Sequence, residues 1–467
     1  MKAYPTRVGK IHFCGIGGIG MSGIAEILHD MDYKIQGSDT NTNNNVKRLQ
    51  KKGIKIFSFQ KSSNIRGISL LIISTAIKQD NPELLEARKK NIPVVHRSEM
   101  LGELMKIKWS IAIAGSHGKT TSTSLIATIF EKSNLDPTVI NGGIISSWGS
   151  NAKLGKSNWL IAEADESDGS FEKLNPTIAV VTNIDPEHLD YYESFENLQK
   201  AFLRFISSIP FYGFIVLCID HPNVRKLIPL VKDRKVITYG INESADIKAS
   251  NIQNDKIFMY FDVSKKNKSE KPTKFKLPML GIHNVRNCLA SVAIATEIGI
   301  KNQQIVDCLY NFKGVGRRFD IKWNKNGITV VDDYAHHPEE IKVTLSAAKL
   351  RCPDGKIIAI FQPHRYSRLK ELFSDFCKCF YDANHLFIAD VYAAGEKEIF
   401  GYNRAKLVKG IINEGHLGTY SLKNPANLAS QLKKIIRKGD LIILLGAGSI
   451  TNWANDLVEK FKNLRLE

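Results

Sequence analysis

Residues 11–20 read Ile11-His12-Phe13-Cys14-Gly15-Ile16-Gly17-Gly18-Ile19-Gly20, a short apolar run followed by a glycine loop in which Gly15, Gly17 and Gly20 satisfy G-x-G-x-x-G. A strand that ends in such a loop and continues into a helix lets the backbone approach a diphosphate, and the helix N-terminus presents its unpaired N–H groups to it. The spacing predicts that helix, with Met21, Ile24, Leu28 and Met31 on one face. A second strand around 33–37 leads to Asp39, nineteen residues beyond Gly20, where a carboxylate can hold ribose hydroxyls. The loop alone does not say which diphosphate binds, because NAD and a UDP-sugar both offer a pyrophosphate and a ribose.

A second apolar run, Ile111-Ala112-Ile113-Ala114, opens into Gly115-Ser116-His117-Gly118-Lys119-Thr120-Thr121. This is a shortened P-loop, with Ile113 where the full pattern wants glycine. Its backbone N–H groups would wrap phosphate oxygens, Lys119 would neutralise the β/γ-phosphates, and the Thr120 hydroxyl would ligate Mg²⁺. Such a loop needs a metal-binding acid from a neighbouring strand. WLIAEADESD supplies Glu163, Asp165, Glu166 and Asp168 where an apolar strand runs out. His188 follows another strand, in NIDPEHLD, at the end where parallel sheets place their ligands, and is a candidate for a second metal.

Outward from these loops, apolar runs at 69–74 and 92–96 complete a first α/β pattern, and a boundary falls just before Trp109. Strands are predicted again at 159–162, 178–181 and 214–219, then a Lys/Asn-rich meander over 246–276 and a helix after Asn284. A third alternation runs through 328–331, 357–361, 386–390 and 441–446. A chain of 467 residues has room for two to four domains at roughly 100–200 residues each. The reading is therefore three α/β domains, over 1–107, 108–321 and 322–467.

Composition narrows the function. The 65 basic and 47 acidic residues give a net charge of +18, but the lysines are scattered and no basic block with interleaved aromatics occurs, so nucleic acid is not an expected partner. No apolar run reaches the roughly 18–20 residues of a membrane span, so membrane insertion is not expected. The apolar start is broken by His12, several glycines and Glu26 and reads as the opening of a folded domain, not as a signal peptide. Seven dispersed cysteines without a CxxC pair argue against a disulfide framework and for a cytoplasmic protein.

Taken together, GIGGIGMSGIAE, HRSEML, GSHGKTT, EADESD, NIDPEHLDYY, GIHNVRN, GVGRRF, DDYAHHP, QPHRYSR and LGAG resemble the ATP-dependent Mur ligases, specifically their alanine-adding branch, over nearly the whole chain. The resemblance implies a Rossmann-like N-terminal domain for the UDP-sugar, a central P-loop domain for ATP, and a Rossmann-like C-terminal domain that closes over them. It implies ligation of L-alanine to the lactoyl carboxylate of UDP-N-acetylmuramate through an acyl phosphate, with ATP and Mg²⁺, by a monomer or weak homodimer. Carried onto this sequence, it assigns the sugar diphosphate to Gly15, Gly17, Gly18 and Gly20, with Asp39 and, less directly, Ser74 and Arg97. ATP falls to Gly115, Ser116, His117, Gly118, Lys119, Thr120 and Thr121, with Asn284, Asn287 and Arg317 near the adenine. Thr120 and Glu163 hold one Mg²⁺ and His188 contributes to a second. Tyr334, His336, Arg365 and Arg368 receive the incoming alanine and the reacting phosphate. Three positions depart from the usual pattern, namely Ser116 for Thr, Ala335 for Gly and Ser449 for Asp.

The chemistry explains the charges. A carboxylate must be activated before an amine will attack it, and bringing it against a γ-phosphate requires positive charge at that point. The amine must also attack unprotonated, and His336 is the candidate to orient or deprotonate it, although His336-His337-Pro338 reads equally as a turn that positions Tyr334. A nicotinamide dehydrogenase would use the first loop but leave GSHGKTT and EADESD idle. A ligase that attaches a preformed tripeptide to the same sugar nucleotide is the nearer rival, since the difference lies in the room around the amine.

Overall fold

Ile11–Cys14 form the central strand, β1, of a five-stranded parallel sheet, and all four residues are buried. Around it lie β2 (Ile35–Ser38), β3 (Lys55–Phe57), β4 (Leu70–Ile73) and β5 (Val94–His96), in the order β3-β2-β1-β4-β5. Short, nearly unbroken apolar strands are what a parallel sheet covered by helices on both faces requires. The register pairs Cys14 with Ser38, so the glycine loop and Asp39 leave neighbouring strand ends together. The computed structural model describes residues 8–242, 244–266 and 270–462.

By their contacts, these residues fall into two units. The larger takes the described residues within 8–251, 261–275 and 286–313; the smaller takes those within 252–260, 276–285 and 314–462. Besides the first sheet, the larger unit holds most of a ten-stranded sheet. Its strands are β6 (Trp109–Ala114), β7 (Thr138–Ile145), β8 (Ser150–Lys153), β9 (Trp159–Glu163), β10 (Ile178–Val181), β11 (Phe214–Cys218), β12 (Lys235–Gly240), β13 (Ile247–Asn254), β14 (Met259–Lys265) and β15 (Thr273–Leu277). The order β12-β11-β10-β6-β9-β7-β8 puts the strand before the P-loop between β9 and β10. Ile113 pairs with Glu163 and Ala114 with Val181, so three strands end at one level and their loops lie side by side.

The smaller unit carries a six-stranded sheet of β16 (Asp320–Lys325), β17 (Ile328–Asp333), β18 (Ile357–Phe361), β19 (His385–Ile388), β20 (Thr419–Ser421) and β21 (Leu441–Leu445), in the order β16-β17-β21-β18-β19-β20. Only β16 is antiparallel to its neighbour; the other pairings are parallel. Separate apolar clusters cover its two faces, one around Phe361, Phe376 and Phe380, the other around Ile360, Leu444 and Phe461.

Two local expectations change. The helix Ile19–Asp30 buries Met21, Ile24 and Leu28 as the spacing requires, but also Ser22, Gly23, Ala25, Glu26 and Ile27. The β7–β8 hairpin covers its second face, where Asn151 Nδ2 donates to the Ile19 carbonyl at 2.7 Å. Met31 ends this helix as its C-cap. The helix expected to start after Asn284 begins at Ile282 instead, because Gly281, at φ 99°, turns the chain one residue earlier. All seven cysteines are buried and free. Among the described residues, no helix is long and apolar enough to cross a membrane.

Candidate active site

The first glycine loop is held from the side by its own sheet. Gly17 donates its N–H to Asp39 Oδ2 at 2.8 Å, and Asn43 and Asn45 donate to the Gly17 carbonyl at 3.0 Å. A Cβ on Gly17 would stand 2.7 Å from Val46 and 2.8 Å from Asp39, so only glycine permits this approach. Gly18 caps the helix that Ile19 begins, which places Gly20 in its first turn. Asp39 thus orders the loop as well as standing where ribose hydroxyls are expected. Ser74 follows β4 and turns the chain by accepting the Ile77 N–H at 3.1 Å; the Ile77 side chain comes within 3.4 Å of a Cβ built on Gly15.

The second loop enters the helix Lys119–Lys132 through Gly118, at φ 82°. That left-handed backbone suits glycine, and an added Cβ would meet Asn287 Oδ1 at 2.4 Å. The first-turn amides of Lys119, Thr120 and Thr121 are the donors a helix cannot pair internally, and they point toward the loop. Asn183, after β10, braces the loop from outside by accepting the His117 N–H at 2.7 Å and donating to the His117 carbonyl at 2.9 Å. Ser116 Oγ accepts the Asp185 N–H at 2.9 Å, a bond that does not need the missing threonine methyl. Asp185 lies between two imidazoles, His117 at 3.5 Å and His221 at 3.2 Å.

Lys119 lies in a cage of oxygens. Its Nζ donates to the Gly115 carbonyl at 2.5 Å and to Glu166 Oε1 at 2.8 Å. Burial favours the neutral amine, but Glu166, Glu163 and Asp165 outweigh it and hold the ammonium proton more tightly than usual. The Glu166 carboxyl is pushed up to about 7 by its burial, with Lys119 opposing. Glu166 Oε2 is buried without a hydrogen-bond partner among the described residues. Thr120 Oγ1 donates to Glu163 Oε2 at 2.9 Å, and the same oxygen accepts the Gly142 N–H at 2.8 Å.

His188 sits at φ 57° ahead of a single helical turn, and its ring nitrogen, Glu166 and Glu187 bring three ligand-type atoms within 4.8 Å of one another. The structure therefore separates the expected metal donors into Thr120 with Glu163 and His188 with two carboxylates. Hydroxyl and carboxylate oxygens are what a hard divalent cation takes, so the residues present fit Mg²⁺.

Asn287 contacts Ser122 Oγ at 3.4 Å beneath the loop, and Asn284, one helical turn earlier, donates to the Leu280 carbonyl at 2.8 Å. In the smaller unit, Arg317 donates to the Gly446 carbonyl at 2.7 Å and stacks on Tyr334 at 4.7 Å, tying the LGAG loop to the end of β17. His336 Nδ1 lies 2.9 Å from the Tyr334 carbonyl and 3.2 Å from Glu340, whereas His337 caps the helix Pro338–Arg351. Ala335 is buried outside the left-handed region, so glycine is not required there. Ser449 accepts from Gln362 Nε2 at 3.2 Å.

Arg365 takes φ 71° at the start of the helix Tyr366–Glu371, and Arg368 reaches back to His364 at 3.5 Å. Sequence reasoning passed over His364 and Tyr392, which stack at 5.4 Å and meet His336 through His364 at 6.0 Å. Burial, then His336 and three arginines, lower His364 to about 3, which keeps the ring neutral near pH 7. Its signal is the QPHRYSR run, which carries His364 beside Arg365 and Arg368.

Three family models match the chain in succession: "Mur ligase family, catalytic domain" over residues 10–109, "Mur ligase middle domain" over 113–295, and "Mur ligase, glutamate ligase domain" over 317–448. The chain is 50% identical over 468 residues to the UDP-N-acetylmuramate–L-alanine ligase of Gluconobacter oxydans (strain 621H), covering 99% of this chain and 98% of that one. Among solved structures it resembles the UDP-N-acetylmuramate-alanine ligase MurC from Thermotoga maritima, with a TM-score of 0.83 and 28% identity over 97% of this chain and 99% of that one. It shares its fold with a murein peptide ligase from Psychrobacter arcticus 273-4, with a TM-score of 0.74 and 22% identity over 98% of this chain and 100% of that one. With paired glycine loops, a caged P-loop lysine and these matches along its whole length, the chain belongs to the Mur ligase family.

Proposed function

We infer that this chain is an ATP-dependent ligase that joins L-alanine to the lactoyl carboxylate of UDP-N-acetylmuramate, releasing ADP and phosphate, in peptidoglycan precursor synthesis. The observation that carries the reading is 50% identity, over the whole of both chains, to a ligase named for that reaction. The geometry supplies what the reaction needs: one diphosphate-type loop and one P-loop, each at the C-terminal ends of parallel strands. A dehydrogenase has no use for the second loop with its Lys119–Glu166 pair.

The three sheets, within residues 11–96, 109–277 and 320–445, support domains over 1–107, 108–321 and 322–467. The sugar nucleotide lies on Gly15, Gly17, Gly18 and Gly20, with Asp39, Ser74 and Arg97 around it. ATP phosphates lie on residues 115–121. Lys119 neutralises the γ-phosphate as the sugar carboxylate approaches, and the helix amides hold the β-phosphate. Bound Mg²⁺, held by Thr120 and Glu163 with His188 serving a second ion, supplies further positive charge. Arg365 and Arg368 hold the alanine carboxylate and the phosphate, and Tyr334 with His336 orients the amine toward the acyl phosphate. Asn284, Asn287 and Arg317 form the adenine end. The protein works in the cytoplasm as a monomer or weak homodimer.

The test is product mass from purified chain, ATP, Mg²⁺ and UDP-N-acetylmuramate, offered alanine, glycine, serine and the recycled tripeptide in separate reactions. Alanine adduct is expected; product from the tripeptide alone overturns the substrate assignment.

A further inference from the structure

Asp165 lies in the acidic run after β9, and its charge is felt by Lys119. Its Oδ1 accepts the Ser167 N–H at 3.1 Å and its Oδ2 accepts Arg97 Nη2 at 2.5 Å. Arg97 opens the helix Arg97–Lys106, directly after β5 of the first sheet. Its other terminal nitrogen, Nη1, lies 3.0 Å from where a Cβ on Gly20 would stand. One carboxylate from the ATP side therefore holds a guanidinium against the last glycine of the sugar-nucleotide loop. Burial would raise the Asp165 carboxyl, but Arg97, then Lys119, holds it far below the usual carboxylate range.

We propose that Asp165 is a positioning residue for the sugar nucleotide: it aims Arg97 at the diphosphate seated on the Gly15–Gly20 loop. A guanidinium has five N–H donors, and a single bond to Asp165 leaves the rest of the fork for an anion. An unrestrained arginine loses rotamer freedom whenever it binds, and fixing it beforehand removes that cost from the binding step. The proposal rests on the sugar-nucleotide reading of the first loop.

The test is calorimetric binding of UDP-N-acetylmuramate, without ATP, to the full chain and to Asp165→Asn, Asp165→Glu, Arg97→Ala and the Arg97→Ala/Asp165→Asn pair. Losing a charge-assisted orienting bond is expected to weaken binding roughly tenfold in Asp165→Asn, with part recovered in Asp165→Glu. In the Arg97→Ala background the Asn substitution is expected to change nothing further. The far-UV circular dichroism spectrum of each variant is expected to match that of the unmodified chain, which certifies its fold. Unchanged or tighter binding by Asp165→Asn, or the same weakening in both backgrounds, overturns the proposal and leaves the ligase reading standing. Failure of the unmodified chain to bind the sugar nucleotide overturns that reading and the proposal together.

Discussion

Replacing Lys119 with alanine separates the ion pair it makes with Glu166 from the role proposed for it at the γ-phosphate. Lys119 is the partner of Glu166 at 2.8 Å, with side chains only 15% and 2% exposed. Removing one member of a buried ion pair costs about 3–5 kcal/mol when the remaining charge stays ionised. Glu166 escapes part of that cost by binding a proton, since its carboxyl already stands near 7 with Lys119 in place. The expected loss in Lys119→Ala is therefore about 2–3 kcal/mol at neutral pH, shrinking as pH falls toward 5 and Glu166 protonates. Adding Glu166→Gln removes the buried charge and is expected to return most of the stability. The rate behaves differently. Without the cation at the γ-phosphate, turnover is expected to fall by roughly 10²–10³ in both the single and the double variant. Urea unfolding at pH 5 and 8 measures the first effect, and phosphate release with all three substrates the second. A double variant that regains wild-type turnover would show Lys119 to be no more than a counterion for Glu166, and a single variant within tenfold of wild type would remove it from the chemistry.

Glu163→Gln keeps the shape of the Thr120 contact but loses the anionic oxygen, and kcat is expected to drop by roughly 10²–10³; a change under about tenfold removes Glu163 from the metal set. Arg365→Ala is expected to raise KM for alanine more than KM for ATP, and equal shifts in steady-state assays would argue against a contact with the amino acid. In the smaller unit, burial raises Asp333 to about 6, although Phe319 and Ala335 donate their N–H groups to it. A raised folded value means that Asp333 contributes stability below the unfolded carboxylate range, lost as pH climbs through about 6, a change on the order of 2–3 kcal/mol. Chemical denaturation from pH 4 to 8 checks this, since the Asp333→Asn variant lacks that component of the slope.

The strands Ile178–Val181 and Ile357–Phe361 were legible to the residue, because strands buried on both faces between helices must be short and uniformly apolar. That each glycine loop joins a strand end to a helix start was equally legible, since glycines at this spacing after an apolar run mark that turn. The second buried face of the helix Ile19–Asp30 was not, because the hairpin that covers it lies more than a hundred residues away in the chain. Nor did spacing select which of four carboxylates would meet which donor. Glu163 went to Thr120 and Glu166 to Lys119 because β6 and β9 are neighbours that end at one level, while Asp165 met Arg97, which follows β5 of the first sheet. Local chemistry thus declared which loops stand at the strand ends. Folding alone chose which charge stands beside which, because electrostatic pairing depends on distance through space, and strand order, not sequence separation, sets that distance.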